Sequence, residues 1–402
     1  MQLSRYAKTS DPLGRYYTEP RIAALLIEAM GLSHPGTVLD LGAGDGSLVG
    51  EAAKVWTSSH FITVDIDANA ASSMLPILRG SAFKHHMVDA LDARLADRLG
   101  LGWGEADAAL CNPPYVRPKW KKQFAEILED AGLSHVLPRL GDVPADLLFI
   151  AQNLRLLRTT GRLGLILPDG IVSGEKFTVF RKTLIQEHSV ERVIELPRRI
   201  FRNTDAKAHI VIVAKHGKGF DHIAVQRLET DGILSDPHFI PADSAVKRFD
   251  YSYVTKNVAN KDTRKIGDEA ILICRGSFSS AERMSAGFPV FHTTDFSASD
   301  VFVPSLFNLP KGCLGVDSCV VAESGDILVA RVGRNLSQKI CMVRKGRVAI
   351  SDCLLLLRVN EGKRQNVFSF LRSSAGRLLL DASAHGVGAK FITPNSLLEL
   401  PF

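Results

Sequence analysis

The chain has 402 residues, of which 46% are hydrophobic, 7% aromatic and 23% charged, a balance that excludes a disordered tail, a collagen repeat or a coiled coil and leaves room for two or three domains. No apolar run approaches the ~18 residues of a membrane span, and the polar opening from Met1 to Asp11 lacks the apolar core of a secretory signal, so a cytoplasmic protein with no membrane partner is expected. The net charge of +6 sits in the last two fifths: residues 1–240 hold 28 Lys+Arg against 28 Asp+Glu, residues 241–402 hold 21 against 15, which suits a polyanionic partner or, more plainly, a solvated basic face.

Four short aliphatic segments each end in a polar residue: Val38 to Asp40, Phe61 to Asp65, His86 to Asp89, and Ala108 to Asn112. Their last residues fall 25, 24 and 23 positions apart, the length of a strand, a helix and a return in a parallel sheet. Ligands of such open sheets bind at the carboxyl ends of the strands. Asp40, Asp65, Asp89 and Asn112 are therefore expected along one edge. Four unrelated turn residues would not be so evenly spaced.

The loop after the first segment, Asp40 to Ser47, places Gly42, Gly44 and Gly46 at alternate positions, with Ser47 in place of the last glycine of the dinucleotide fingerprint. Glycine lets a ligand approach the backbone because no Cβ intervenes. Asp40 and Asp45 make a pyrophosphate unwelcome and suit a ligand with a cationic amine and a sulfonium. The acid after the second segment can accept ribose hydroxyls in either case. An ordinary tight turn is the plainer reading of the loop taken alone.

A helix over about Ala145 to Leu157 is expected to stop near Gly161, followed by strands over Gly164 to Leu167, Val190 to Leu196 and Ala208 to Ala214. Residues 1–220 are read as a first domain, 221–250 as a connecting stretch loosened by Pro237 and Pro241, and 251–402 as a second domain. In the second domain, Asp268 to Gly276 and Gly325 to Asn335 are strand-like runs that end in Arg and Gly. The fold class is α/β, a Rossmann-like sheet followed by a β-rich α+β domain. Cys111, Cys274, Cys313, Cys319, Cys341 and Cys353 form no CxxC pair and no zinc-spaced cluster, so buried free thiols and no metal are expected.

Asn112-Pro113-Pro114-Tyr115 is the most informative tetrapeptide. With the motifs around it, the chain resembles the N6-adenine DNA methyltransferases of the gamma, TaqI-like, order, which use S-adenosylmethionine. The resemblance implies a SAM-dependent methyltransferase sheet and carries over residue by residue. Gly14 to Pro20, with Tyr17 and Thr18, is similar to the leading cofactor motif. Asp40, Gly42, Gly44 and Gly46 resemble the glycine-rich motif, although Leu41 stands where many of these enzymes place proline. Asp65 with Ile66 resembles the ribose-binding segment, Asp89 with Ala90 the adenine-binding segment, and Phe149 the apolar contact to the cofactor adenine. Asn112 to Tyr115 resembles the catalytic motif, and Phe201 the second aromatic of the base pocket.

The chemistry explains those residue types. The exocyclic nitrogen of adenine is a poor nucleophile because its lone pair is delocalised into the ring. Two acceptors that hold its N–H groups, the Asn112 amide oxygen and the Pro113 carbonyl, draw it towards tetrahedral geometry and expose the lone pair. The prolines fix φ and remove a competing donor. Tyr115 would stack on a base that has left the duplex and Phe201 would close its other face, partly offsetting an unstacking cost of a few kcal/mol. Alignment is the main contribution, and no strong general base or catalytic metal is called for. A proline-rich turn is the plain alternative.

Arg117, Lys119 and Lys121 follow the tetrapeptide, and Arg198 and Arg202 flank Phe201. They are candidate phosphate contacts or a solvated surface. Arg275, Arg331 and Arg334 close the strand-like runs of the second domain, which resembles the target-recognition half-domains of type I specificity subunits. Arginine there can pair bidentately with guanine, or simply be solvated. The reading is a site-specific methyltransferase acting on N6 of a flipped adenine in double-stranded DNA, in a restriction-modification or defence system, with a cognate restriction endonuclease or other subunit as partner. The alternatives are an RNA adenine or protein glutamine methyltransferase, and a non-catalytic DNA-binding specificity subunit.

Overall fold

The computed structural model describes residues 18–137, 139, 143–198, 200, 207–219, 221–258, 264–297, 301–310, 319–385 and 390–402. Tyr17, Phe201, Arg202 and Cys313 lie outside the described residues. The chain divides into two compact units, Met1–Val254 and Thr255–Phe402.

The first unit is built on a nine-stranded sheet: β1 (Thr37–Leu41), β2 (His60–Asp65), β3 (Ala82–Met87), β4 (Ala106–Cys111), β5 (Leu157–Pro168), β6 (Ser189–Glu195), β7 (Ala208–Ala214), β8 (His222–Arg227) and β9 (His238–Pro241). Across the sheet they run β3-β2-β1-β4-β5-β7-β6-β8-β9. The first five are mutually parallel, and β7 runs antiparallel to β5 and β6. The α/β reading is borne out.

The sequence makes this sheet because its central strands are apolar on both faces, as strands covered by helices must be. Alternate side chains feed two cores. Leu39, Ala109 and Cys111 join one that includes the helix Ala145–Leu156. Val38, Ala108 and Leu110 join the other, with Ile22 and Leu26 of the helix Pro20–Met30 and Leu48 of the helix Ser47–Val55. The helix Ala145–Leu156 is buried on every side, so it holds the sheet edge rigidly from one face.

Two expectations differ from the structure. The helix ends at Leu156 and β5 begins with the next residue, so Gly161 lies inside a strand and does not stop the helix. A Cβ there would stand 2.9 Å from the Arg158 carbonyl oxygen and 3.1 Å from that of Ala106, and the close backbone approach explains the glycine. Residues 221–250, expected as a connector, carry β8 and β9 and belong to the first unit. Their pattern is loose because β9 is an edge strand with Phe239 exposed, and edge strands do not need two apolar faces.

The second unit holds a four-stranded sheet in the order β10 (Ala270–Arg275), β17 (Leu354–Val359), β13 (Ile327–Ala330), β15 (Ile340–Met342). A three-stranded sheet joins β11 (Val290–Phe291), β16 (Arg347–Ile350) and β12 (Val321–Glu323), and β14 (Val332–Gly333) pairs with β18 (Lys390–Phe391). Alternation again separates two cores: Ile327 and Val329 pack with Val367 and Phe368 of the helix Glu361–Arg372, while Leu328 and Ala330 pack with Val348 and Ile350 of β16. The expected β-rich second region is present. No described helix is long and apolar enough to cross a membrane, and the five described cysteines are free.

Candidate active site

At the carboxyl edge of the first sheet a cavity is lined by Thr18, Asp40, Gly42, Gly44, Asp65, Ile66, Asp89, Ala90, Asn112, Pro114 and Phe149. The four polar residues placed by even spacing thus share one wall. Ala43, Asp45, Ser47, Leu48, Leu91, Val116, Pro118 and Ala145 also line it. The first five are chain neighbours of residues singled out from sequence. Val116 and Ala145 meet through a long-range bond, the Ala145 N–H donating to the Val116 carbonyl at 2.9 Å, and no local pattern signals it. Gly46, Pro113 and Tyr115 lie outside this lining.

The glycine turn is fixed by the second strand. The Gly42 and Ala43 N–H groups donate to the Val64 carbonyl at 2.8 and 3.0 Å. The Gly44 N–H donates to Asp65 Oδ2 at 2.8 Å, and the Asp67 N–H to Asp65 Oδ1 at 2.8 Å. Asp65 therefore ties the turn to β2 while keeping further lone pairs for a ligand hydroxyl. Gly42 has φ +78°, and a Cβ on it would lie 3.1 Å from Phe149 Cε1. Gly46, with φ +82°, opens the helix Ser47–Val55, where a Cβ would meet Met74 Cγ at 2.5 Å. That is a packing reason for the third glycine, outside the cavity.

Asp40 is nearly inaccessible, and neither carboxyl oxygen has a donor at hydrogen-bonding distance. Burial raises its pKa to about 8, the Asp65 and Asp45 charges adding to the effect and the nearby Val49 amide only moderating it. Both oxygens are shut off from solvent, so the raised pKa reflects the burial of this acid behind the cavity lining. Asp89 is held by the Leu91 N–H at 2.9 Å. Its turn is fixed from the buried helix, where Gln152 Nε2 donates to the Ala90 and Asp92 carbonyls at 3.0 and 2.7 Å.

The tetrapeptide begins where β4 ends. Asn112 Nδ2 donates to Thr18 Oγ1 at 3.0 Å. The Tyr115 hydroxyl lies 3.4 Å from Asn112 Oδ1 and 3.3 Å from the Ile166 carbonyl of β5. Pro113 is buried, whereas Asn112, Pro114 and Tyr115 are partly open. Near this loop, buried Asp146 has its pKa raised to about 6 by burial, against the lowering influence of Lys176 and Arg117.

Among the cationic candidates, Lys121 Nζ sits 3.2 Å from Asp89 Oδ2, which joins a proposed phosphate contact to a cavity residue. Arg117, Lys119 and Arg198 are exposed. In the second unit, Arg275 Nε and Arg331 Nε donate to the same Asp352 carbonyl at 2.9 and 2.8 Å, and Arg275 also pairs with the Asp352 carboxylate. Arg334 is exposed three residues on.

Sequence reading missed a buried ionic cluster on the same edge. Lys207 Nζ lies 2.9 Å from Glu195 Oε2, 3.5 Å from Asp169 Oδ1 and 3.8 Å from Asp250 Oδ2. His209 Nε2 meets Asp169 Oδ1 at 3.0 Å, and Arg248 grips Asp250 through Nε and Nη2 at 2.8 and 2.9 Å. These ends of β5, β6 and β7 adjoin the Ile166 carbonyl that receives Tyr115.

The N-6 DNA methylase family model matches residues 1–270. Over 224 residues the chain is 22% identical to the type I restriction enzyme MjaVII methylase subunit of Methanocaldococcus jannaschii, covering 53% of this chain and 38% of that protein. Over 226 residues it is 24% identical to the MjaVIII methylase subunit of the same organism, covering 53% and 39%. The chain thus spans about two fifths of the length of these relatives. The solved type IIG restriction endonuclease BpuSI superposes with a TM-score of 0.53 at 13% identity, covering 97% of this chain and 59% of that one, a likeness of fold.

Proposed function

The chain belongs to the N-6 DNA methylase family, and from that premise we propose that it transfers a methyl group from S-adenosylmethionine to N6 of an adenine in double-stranded DNA, as the modifying component of a restriction-modification system. The observation that carries this reading is the meeting of Asp40, Asp65, Asp89 and Asn112 in the wall of one cavity.

The cavity residues fit the cofactor. Asp40 places a carboxyl behind the lining, the turn at Gly42 and Gly44 takes positive φ, with Phe149 packed where a Cβ on Gly42 would stand, and Asp65 and Asp89 offer acceptors for a ribose and an exocyclic amine. Bound there, S-adenosylmethionine supplies an electrophilic methyl group on a sulfonium. The chain's own task is to present the amine. Asn112 Oδ1 and the Pro113 carbonyl accept its two N–H groups, which localises the nitrogen lone pair. Tyr115 stacks on the extruded base, and Phe201 closes its other face. Holding nitrogen and carbon in line contributes the rate, and effective molarities of about 10⁵ M or more are accessible to well-oriented groups. The amine's proton leaves to solvent after transfer.

The second unit is assigned to target recognition, with Arg275, Arg331 and Arg334 towards the duplex and Arg117, Lys119, Lys121, Arg198 and Arg202 along the backbone near the flipped base. The relatives' names as methylase subunits support a partner subunit or nuclease. Methyl-labelled S-adenosylmethionine offered separately to duplex DNA, RNA and protein tests the reading. Label is expected in duplex DNA as N6-methyladenine, lost in Asn112→Ala while that variant still binds the cofactor. Label confined to RNA or to protein glutamine replaces the DNA assignment.

A further inference from the structure

Asn112 carries the reaction only if its amide presents oxygen to the incoming amine, because the opposite face would set donor against donor. An amide side chain rotates freely about its last torsion unless both ends are held. Here Nδ2 donates to Thr18 Oγ1 at 3.0 Å, and Thr18, a buried residue at the cavity lining, is 6% exposed. The Tyr115 hydroxyl approaches the other end with a single proton to share between Asn112 Oδ1 at 3.4 Å and the Ile166 carbonyl of β5 at 3.3 Å, which leaves Oδ1 a lone pair for a further donor. Thr18 lies 94 residues before Asn112 in the chain and precedes the helix Pro20–Met30, whose Ile22, Ala23 and Leu26 are wholly buried in the core beneath β1 and β4. The hydroxyl is thus fixed to the scaffold that also fixes β4.

We propose that Thr18 is a positioning residue for methyl transfer: it takes the nitrogen end of the Asn112 amide and so turns the oxygen towards the target amine. This rests on the methyltransferase reading above and differs from a cofactor contact, the role that the sequence alone suggested for Thr18. The two roles separate in the kinetics. A cofactor contact acts on binding, whereas a positioning residue acts on the chemical step with cofactor affinity intact.

The test replaces the hydroxyl by a methyl group of the same shape. Thr18→Val is expected to lower kcat by about tenfold or more, on the scale that small misplacements cost, with cofactor Kd within about twofold of the parent. Thr18→Ser, which restores the acceptor, is expected to recover kcat. In the ligand-free protein, the Asn112 side-chain amide resonance, identified by its loss in Asn112→Ala, is expected to shift in Thr18→Val and to stay in place in Thr18→Ser. Thr18→Ala serves in the same way if the valine variant does not fold. Unchanged kcat in Thr18→Val, a loss expressed entirely in cofactor Kd, no recovery with serine, or an unmoved amide resonance overturns the proposal. A parent protein that methylates nothing refutes the reading beneath it, and the amide resonance still decides whether Thr18 holds Asn112.

Discussion

Gly42 and Phe149 touch across the cavity wall: the phenyl Cε1 lies 3.1 Å from the point where a β-carbon on residue 42 would stand. The turn can pass beneath the ring only because residue 42 has no side chain, and its φ of +78° is one that L residues rarely adopt. Gly42→Ala is expected to cost about 1–2 kcal/mol of stability from backbone strain. It should also weaken S-adenosylmethionine binding at least tenfold by displacing Phe149. Thermal unfolding and calorimetric titration measure the two effects, and unaltered binding would show that the ring is not a cofactor contact.

If the Asp40 carboxyl meets the cation of S-adenosylmethionine, cofactor binding is expected to depend on pH. Its folded pKa of about 8, raised from 3.8 by burial and by Asp65 and Asp45, leaves the acid mostly neutral at pH 7 in the ligand-free protein. A cationic ligand favours the carboxylate. Binding therefore releases protons below pH 8, and affinity should rise from pH 6 to about 8 and then level. The signature is a binding enthalpy that varies with buffer ionisation enthalpy, abolished by Asp40→Asn. The raised value has a second consequence of opposite sign: without ligand, more protons are held folded than unfolded, so stability declines as pH climbs from about 4 to 8.

Lys207 stands among Glu195, Asp169 and Asp250. Lys207→Met removes the cation the three share, while Asp250 keeps Arg248, Asp169 keeps His209 and Glu195 keeps Arg227, and is expected to destabilise the fold by about 3 kcal/mol, the lower end of the range for breaking a buried pair. In the parent, Glu195 is held down to about 2 from 4.5 by Lys207 and His209 and by bonds from Ser252, despite its burial. A carboxylate with a depressed folded pKa contributes stability that is present above its unfolded value and lost as pH falls through the folded one. Urea midpoints should fall steeply between pH 4.5 and 2, and that fall should be shallower in Lys207→Met.

Arg275 and Arg331 reach the same Asp352 carbonyl, so they present as one cationic patch on the second unit. If they meet phosphates, Arg331→Gln lowers duplex affinity uniformly across sequences and reduces the salt slope of binding by about 1. If Arg331 meets a guanine edge, the slope is nearly kept and discrimination at one base pair drops by about 1–3 kcal/mol. Binding isotherms at several salt concentrations on cognate and altered duplexes distinguish these outcomes. No change in either sinks the assignment of this patch to DNA.

The parallel half of the sheet was legible because its chemistry is local. Asp40 and Asp65 lie in the last two positions of β1 and β2, Asp89 and Asn112 follow β3 and β4 within two residues, and the even spacing reflects one strand, one helix and one return. Phe149 is expected from the family resemblance alone, and it lines the cavity beside Gly42. Contacts between distant segments left no such trace: Thr18 with Asn112, Gln152 beneath Ala90, and the cluster around Lys207 each join elements that only the folded chain brings together. Strands β8 and β9 carry a weak signal because β9 is an exposed edge and β8, between β6 and β9, is buried at only half of its residues. Gly161 misled because a glycine after a helical run looks the same whether it ends a helix or lets two strands close on each other.

Strand β7 runs against both its neighbours, so the chain leaves the sheet after Glu195 and returns at Ala208 on the side where it left. The described parts of that connection are anchored: Leu196 and Ile200 pack in one core of the first unit, and Lys207 joins Glu195 of β6 to Asp169 after β5. A designer who splices foreign sequence between β6 and β7 therefore has to keep these anchors, so the junctions set the limits of a graft.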